Sequence, residues 1–175
     1  MRVILAQIIG FIALAILLIV FQKNKRTGML YTQMIACILF GIHYLLLGAF
    51  TGATMNFIVV FRNYVFANKS LKTWADSKVW LYIFILVFII SSVLSWQGFV
   101  TLLPLFAVIL GSITFWLNNT KHIRLLSLIS PPFWFVYNFI MNSYAGMIGD
   151  TLTFLSILIG IIRFDVRAKS NQNLN

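Results

Sequence analysis

The sequence predicts an all-α membrane protein of seven transmembrane helices, in which two three-helix repeats are joined by a linker helix. Three observations lead to this prediction. Hydrophobic residues make up 61% of the chain and charged residues only 9%, whereas a soluble domain carries about 25% charged residues. Apolar runs recur at the length of a membrane span, and a stretch in the first half is echoed in the second. No polar segment is long enough to form a separate soluble domain.

Seven apolar runs are long enough, at about 20 residues or slightly fewer, to cross a bilayer as helices. The third is the shortest and is interrupted by Arg62. The first is interpreted as a membrane helix and not as a cleavable signal peptide, because the basic segment KNKR follows it and no small-residue cleavage site does. The runs lie at roughly 3–21, 29–48, 52–67, 79–96, 98–117, 123–142 and 146–164.

The basic residues between the runs predict the orientation of the chain. Arg2 lies on one side and Arg62 within a helix, and all other Lys and Arg residues fall on the opposite side. Because cytoplasmic loops are enriched in Lys and Arg, the N-terminus is expected outside and the C-terminus in the cytoplasm. The residues on the predicted cytoplasmic side are Lys23, Lys25, Arg26, Lys69, Lys72, Lys78, Lys121, Arg124, Arg163, Arg167 and Lys169.

An internal repeat is the second basis of the predicted architecture. Residues 40–66 overlay residues 134–160 without gaps at an offset of 94, and the overlay extends back to the first and fifth helices at an offset of 97, pairing Gln7 with Pro104. Shared exact residues are few, so the repeat rests on the common order of polar, glycine and apolar positions. The overlay pairs Gly52 with Gly146 and Asn56 with Asp150.

A linker helix is needed if two three-helix repeats are to run in the same direction. Between Tyr82 and Ser91 the fourth run contains only apolar residues, which suits such a linker. Parallel repeats of this 3+1+3 kind are known in transporters. The expected organisation is a first repeat at 1–67, a basic loop and linker helix at 68–97, a second repeat at 98–164, and a disordered cytoplasmic tail at 165–175.

Four polar residues at similar depth are the first candidates for a binding site. His43, Asn56, Asn138 and Asp150 each lie four or five residues from an outer helix end, which is ~6–8 Å into the membrane. An ionisable residue within a membrane is a hypothesis of function, and His43 suits a proton-linked step because imidazole titrates near neutral pH. Two alternatives stay open: His43 as a hydrogen-bonded structural residue, and Asp150 in contact with interfacial water. Trp134 and Tyr137 are expected to line the same site.

Arg62 and the prolines are candidates for a counter-charge and for gates. Arg62 lies deeper than Asn56 and about 120° around the helix from it. It either snorkels to the inner headgroups or supplies a fixed charge for an anionic solute or a carboxylate. Pro104 and the pair Pro131-Pro132 are expected to interrupt the fifth and sixth helices, as hinges or cavity walls.

Several classes of function are disfavoured by what the sequence lacks. No nucleophile–base pair, phosphate-binding loop or metal-ligand spacing is present, so we expect no enzyme activity, no cofactor and no metal. The net charge of +10 is assigned to topology and not to nucleic-acid binding. Cys37 is the single cysteine and is expected to pack in the interior. The expected partners are the lipid bilayer and an unknown small polar solute. The sequence is also compatible with a homo-oligomer.

Short motifs spread over nearly the whole chain carry a family resemblance: Leu5-Ala6-Gln7, Gly10, Gly41-Ile42-His43-Tyr44, Leu46-Leu47-Gly48, Gly52-Ala53, Arg62, Leu102-Leu103-Pro104, Trp134, Asn138-Phe139, Gly146, Asp150 and Ile161-Ile162-Arg163-Phe164. In these residues the sequence resembles the YgjV-type bacterial inner-membrane proteins. Two positions depart from that family, because Val59 and Gly160 stand where an Asn is expected. The resemblance implies a multi-pass protein of the bacterial cytoplasmic (inner) membrane, with a SWEET/PQ-loop-like fold, and it implies no substrate.

Two functions from different classes are compatible with these features. The first is a transporter of a small polar solute that works by alternating access between the two repeats, with Asp150 and His43 binding substrate or a proton. The alternative is a receptor or assembly factor on the same fold that does not transport. Solute flux, or a stably bound partner without flux, separates the two.

Overall fold

The computed structural model describes residues 1–69 and 71–166, and these fold into helices with no β-strand among them. The all-α prediction is therefore confirmed for the described residues. Short 3₁₀ turns precede α4 and α5, and a π-helical turn at Ile162–Val166 follows α8. The helices are α1 Arg2–Val20, α2 Arg26–Leu47, α3 Phe50–Ala67, α4 Val79–Leu94, α5 Leu102–Trp116, α6 Thr120–Ser127, α7 Ser130–Ile140 and α8 Tyr144–Ile161.

Five segments are long and apolar enough to cross a membrane: α1, α2, α5 with its preceding turn, α6 together with α7, and α8 with its following turn. Helix α4 is apolar but has only 16 residues. Helix α3 has 18 residues, but its polar side chains lower its hydropathy. The prediction of membrane-spanning helices is confirmed for five segments, and it stays a prediction for α3 and α4.

The sixth predicted span is broken where its prolines lie. Helix α6 ends at Ser127 and α7 begins at Ser130, so that Pro131 and Pro132 occupy the first turn of α7. Proline has no N–H and its ring clashes with the preceding helical turn, but the first turn of a helix tolerates both defects. The expected interruption is confirmed here. Pro104 is different, because it lies in the first turn of α5 and interrupts nothing.

Six helical segments form a ring, and α4 lies outside it. The segments of the ring are α1, α2, α3, α5, α6 together with α7, and α8. Along the ring, α2 packs between α1 and α3, and α7 packs between α5 and α8. The first half of the ring consists of α1 to α3 and the second half of α5 to α8. The two halves meet where α1 packs on α8 and where α3 packs on α5. Exchanging the halves therefore maps each of these contacts onto another. Helix α4 packs against α3 and α5, and it exposes apolar side chains such as Leu86 and Val93.

The turn between α2 and α3 is repeated between α7 and α8. Gly48 and Asn142 both have positive φ, at 77° and 54°, and they are 94 positions apart. Glycine adopts this conformation without strain and Asn tolerates it better than most residues. The same backbone hydrogen bonds follow at the same offset: Gly48 N–H to Leu45 C=O and Asn142 N–H to Phe139 C=O, then Ala49 N–H to Tyr44 C=O and Ser143 N–H to Asn138 C=O.

We call the end of the ring that carries the connections at 21–25, 68–78 and 117–119 the basic end, and the opposite end the short-loop end. At the basic end the Arg124 side chain is completely buried. Its Nη1 forms an ion pair with Asp165 Oδ1 at 2.9 Å, and its Nη2 donates to Lys23 C=O at 3.1 Å. Asp165, the first residue of the predicted disordered tail, is thus held in place, while 167–175 lie outside the described residues.

Two further cations cap the end of α5 at the basic end. Arg26 donates through Nε and Nη2 to the carbonyl of Phe115, and Lys69 Nζ donates to the carbonyl of Trp116 at 2.9 Å. Burial and the neighbouring charge of Arg26 lower the pKa of Lys69. The last carbonyls of a helix lack partners within it, and basic side chains commonly satisfy them. Basic residues that the sequence assigned to topology therefore also close this end of the ring.

Candidate functional site

An internal cavity of about 120 Å³ lies inside the ring. Every helix contributes to its wall except α4. At roughly 30 Å³ for each water in the liquid it could hold about four waters, so in this conformation it suits a solute of a few heavy atoms. The polar and ionisable residues in its wall are Gln33, Cys37, Tyr44, Asn56, Arg62, Thr114, Ser127, Ser130, Asn138, Asp150 and Thr153.

A chain of hydrogen bonds links the two halves in the wall of this cavity. The Nδ2 of Asn138 donates to Asp150 Oδ2 at 2.7 Å, and its Oδ1 accepts from the Tyr44 hydroxyl at 2.7 Å. Tyr44 and Asn138 are 94 positions apart, so this bond joins equivalent positions of the two halves. The structure places Asn138 beside Asp150, and Tyr44 lies next to them.

Asp150 has acceptor capacity left over. Within the described residues its carboxylate accepts only the bond from Asn138 and has no ion-pair partner. An ionised carboxylate offers about four acceptor positions. Asp150 and Pro131 also border a shallow apolar groove on the outside of the ring, so this side chain separates the cavity from the outer surface.

Asn56 and Thr153 each place in the same wall a polar atom that forms no hydrogen bond with the described residues: Oδ1 of Asn56 and Oγ1 of Thr153. The amide nitrogen of Asn56 donates to the carbonyl of Gly52 at 2.8 Å. The hydroxyl of Thr153 is buried and has no hydrogen-bond partner among the described residues. A buried hydroxyl without a partner is costly. With Asp150 one turn away on α8, Thr153 offers a ligand two polar groups on one face.

Arg62 also reaches the cavity, and it does not snorkel to the helix end. It is 1% exposed, and its Nε and Nη2 donate to Asn63 Oδ1 at 3.1 and 2.8 Å. Its Nη1 donates to Ser112 Oγ at 3.1 Å. The angular separation from Asn56 does not exclude Arg62 from the cavity, because its long side chain extends around the helix. All of these acceptors are neutral.

His43 lies outside the cavity wall, and both of its ring nitrogens have protein partners. Its Nδ1 is 2.7 Å from the carbonyl of Ala6, which can only accept, so we assign the proton to Nδ1. Its Nε2 then accepts from the Ser143 hydroxyl at 2.7 Å. Ser143 Oγ in turn accepts from Gly146 N–H at 3.2 Å, at the start of α8. These contacts match a neutral, structural imidazole, the alternative that the sequence left open.

Tyr137, expected to line the site, has the equivalent place in the other half. It lies 94 positions after His43, is fully buried, and is likewise absent from the cavity wall. Its hydroxyl accepts from Gly52 N–H at 2.8 Å, in the first turn of α3. His43 and Tyr137 therefore each hold the start of the third helix of the opposite half, directly or through Ser143. Pro104 too is outside the wall, whereas Trp134 is part of it.

Some wall residues could have been found from the sequence and others could not. Tyr44 is paired with Asn138 by the overlay, so the repeat itself indicated it. Gly111 gave no signal, because small residues in an apolar helix usually mark packing.

Gly146 permits the close packing on which the Asn138–Asp150 contact depends. A Cβ at this position would overlap Asn138 Cγ and Oδ1 and would lie 2.5 Å from Ser143 Oγ. We expect Gly146→Ala to lower the free energy of unfolding by about 1–3 kcal/mol, the usual range for overpacking. Gly149→Ala is the matched control, since its Cβ would meet Leu14 Cδ1 at an ordinary 3.5 Å. Denaturant unfolding in detergent measures both, and equal midpoints for the two variants would contradict this packing.

Comparison with known proteins identifies one relationship. A family model described as a bacterial inner membrane protein, Imp-YgjV, matches residues 4–168. No curated protein and no solved structure matches the chain. The match covers most of the chain, including every residue in the wall of the cavity.

Proposed function

The chain belongs to the Imp-YgjV family of bacterial inner membrane proteins, and from this premise we propose that it transports a small polar solute by alternating access. The inner membrane is its location, as the five apolar helical segments also indicate. The observation that carries the proposal is the cavity inside the ring, in whose wall Asp150, Asn56 and Thr153 have polar atoms without partners among the described residues. Polar groups within a membrane are expensive and mark the pathways of solutes and ions.

The proposal includes two parallel three-helix repeats, at 1–67 and 98–164, with the linker helix in 68–97, the arrangement of SWEET-like proteins. Three observations support it. The helix contacts are exchanged when the halves are exchanged, the turns after α2 and α7 have the same hydrogen bonds, and α4 has no part in the cavity wall. The excess of basic residues at one end supports an external N-terminus and a cytoplasmic C-terminus.

Alternating access needs a closure at each end of the cavity that can open separately. At the short-loop end, Tyr44 to Asn138 and Tyr137 to Gly52 cross between the halves. At the basic end, Arg124 crosses to Lys23. Opening one set while the other stays closed exposes the cavity to one side at a time. The break before Pro131 offers a hinge in one half, and Asp150 is the group best placed to carry a coupled proton.

Cys37 provides a test that does not require the solute. It is the only cysteine of the chain and its thiol is buried in the cavity wall. We expect a small membrane-impermeant thiol reagent to label Cys37 from both faces of the membrane, in right-side-out and in inverted vesicles, because each face reaches the cavity in turn. Cys37→Ser is the control for specificity. Labelling from one face only would contradict alternating access and would favour a receptor.

A further inference from the structure

We propose that the solute is a small carboxylate with a hydrogen-bond donor at its other end, and that Arg62, Ser112 and the space beside Gly111 form the subsite for its anionic group. The inference rests on the proposed function, because it names the solute class for the same cavity. It depends on three features of the cavity: an uncompensated charge, an open space beside that charge, and an acid at the far side.

The charge of Arg62 has no counter-ion within the described residues. The chain has three acidic residues: Asp165 pairs with Arg124, Asp76 is exposed outside the helices, and Asp150 forms no ion pair with Arg62. A buried charge without a partner is strongly unfavourable. Two of the Arg62 contacts, to Gln33 Oε1 at 3.4 Å and to Val108 C=O at 3.5 Å, are long and therefore weak. An arriving oxyanion can replace them and neutralise the guanidinium.

Gly111 leaves room for that oxyanion. An added Cβ would lie 3.5 Å from Arg62 Nη1 and within 4 Å of no other non-neighbouring atom. Gly111 and Arg62 both line the cavity, so this space is continuous with it. Ser112 Oγ already accepts from Nη1, which fixes the guanidinium beside the opening.

Asp150 orients the solute. The overlay pairs Asp150 with Asn56, so the two residues are expected at similar depth. Arg62 lies six residues beyond Asn56 on α3, and this spacing separates the two residues by ~9 Å along the helix. A carboxylate is attracted to Arg62 and repelled by Asp150, whereas a hydroxyl or ammonium group at the other end can donate to Asp150 or to Thr153. A small hydroxycarboxylate or aminocarboxylate has both groups. Solutes that carry only a positive charge would leave Arg62 unpaired.

The test uses the purified full chain and small carboxylates, each compared with the amide in which the carboxylate is replaced by a neutral carboxamide. Lactate, glycolate, glycine and β-alanine, with lactamide, glycolamide, glycinamide and β-alaninamide, are screened by thermal shift, in which a ligand of the native state raises the midpoint. At least one carboxylate is expected to bind, and its amide is not. Gly111→Ala, which fills the space with an ordinary contact, is expected to weaken binding roughly tenfold, or about 1.4 kcal/mol. Gly149→Ala should bind as the native chain does.

The outcomes separate this inference from the proposed function. Amides that bind as well as carboxylates, a Gly111→Ala variant that binds normally, or no binding by any carboxylate of the set would overturn the carboxylate subsite. Labelling of Cys37 from both faces in the same preparation would leave transport standing in each of these cases. Labelling from a single face would reject transport even if a carboxylate bound at Arg62.

Discussion

Asp150→Asn is expected to reduce solute uptake by reconstituted protein at least tenfold while leaving the protein folded. The variant keeps a side-chain oxygen that can accept the 2.7 Å bond from Asn138, so the contact between α7 and α8 persists. It removes the negative charge and the capacity to exchange a proton at the one carboxylate in the wall of the described cavity. A tenfold loss corresponds to about 1.4 kcal/mol, which is modest for a charged hydrogen bond to a ligand.

Asp76→Asn is the matched control for this variant. Asp76 is exposed in the connection between α3 and α4, so the same chemical change is made far from the cavity. Uptake by the Asp76 variant should equal that of the native chain. Native uptake by the Asp150 variant over the whole pH range would remove Asp150 from the transport site.

Arg124→Ala is expected to have the largest effect on stability, with a loss of about 3–5 kcal/mol in the free energy of unfolding. The substitution leaves Asp165 buried without its cation and removes the bonds to Lys23 C=O and Asn24 Oδ1. These contacts join the α1–α2 connection, α6 and the turn after α8. The loss should therefore be cooperative across the basic end, and thermal unfolding in detergent measures it.

Two comparisons separate the ion pair from a general effect of charge. Arg163 is exposed near the same end, so Arg163→Ala should change stability little. Combining Arg124→Ala with Asp165→Asn removes both charges and should recover part of the loss, because no buried acid is then left unpaired. An Arg124→Ala variant as stable as the Arg163→Ala variant would show that the buried ion pair does not hold the basic end.

Hydrophobic length and the internal repeat predicted much of this fold. The apolar runs gave the helices to within a few residues, because a membrane-spanning helix must be continuous in its apolar character. The overlay at an offset of 94 relates the two halves, and the similar depth of four polar residues, two from each half, predicted that Asn138 and Asp150 belong to one site. It also relates Gly48 to Asn142, whose shared left-handed conformation only the structure reveals.

Side-chain direction could not be predicted from the sequence. His43 and Tyr44 are adjacent on α2 and point about 100° apart, so one faces the start of α8 and the other the cavity. Which of them faces the cavity depends on how α2 is rotated against α1 and α3, and amphipathicity does not fix that rotation in a helix that is apolar on most sides. Tyr44 therefore took the place in the wall that was predicted for His43.

The sequence also did not predict which side chains far apart along the chain would contact each other. Arg124 and Asp165 are 41 positions apart, and a basic residue near a membrane-helix end is ordinarily assigned to topology. Arg62 was expected either to snorkel or to act as a counter-charge, and the choice depends on whether neutral acceptors surround it. Asn63, Gln33 and Ser112 come from three helices, so no local pattern shows this shell.

The claim that the protein transports a small solute is tested most directly by measuring uptake into proteoliposomes of the carboxylate that raises the unfolding midpoint in the thermal-shift screen. The account predicts saturable uptake by the native chain and by Gly149→Ala, and uptake reduced at least tenfold by Asp150→Asn. A ligand or protein partner that binds stably, with no uptake from either face of the membrane, would contradict transport and would identify the cavity as the binding site of a receptor or assembly factor.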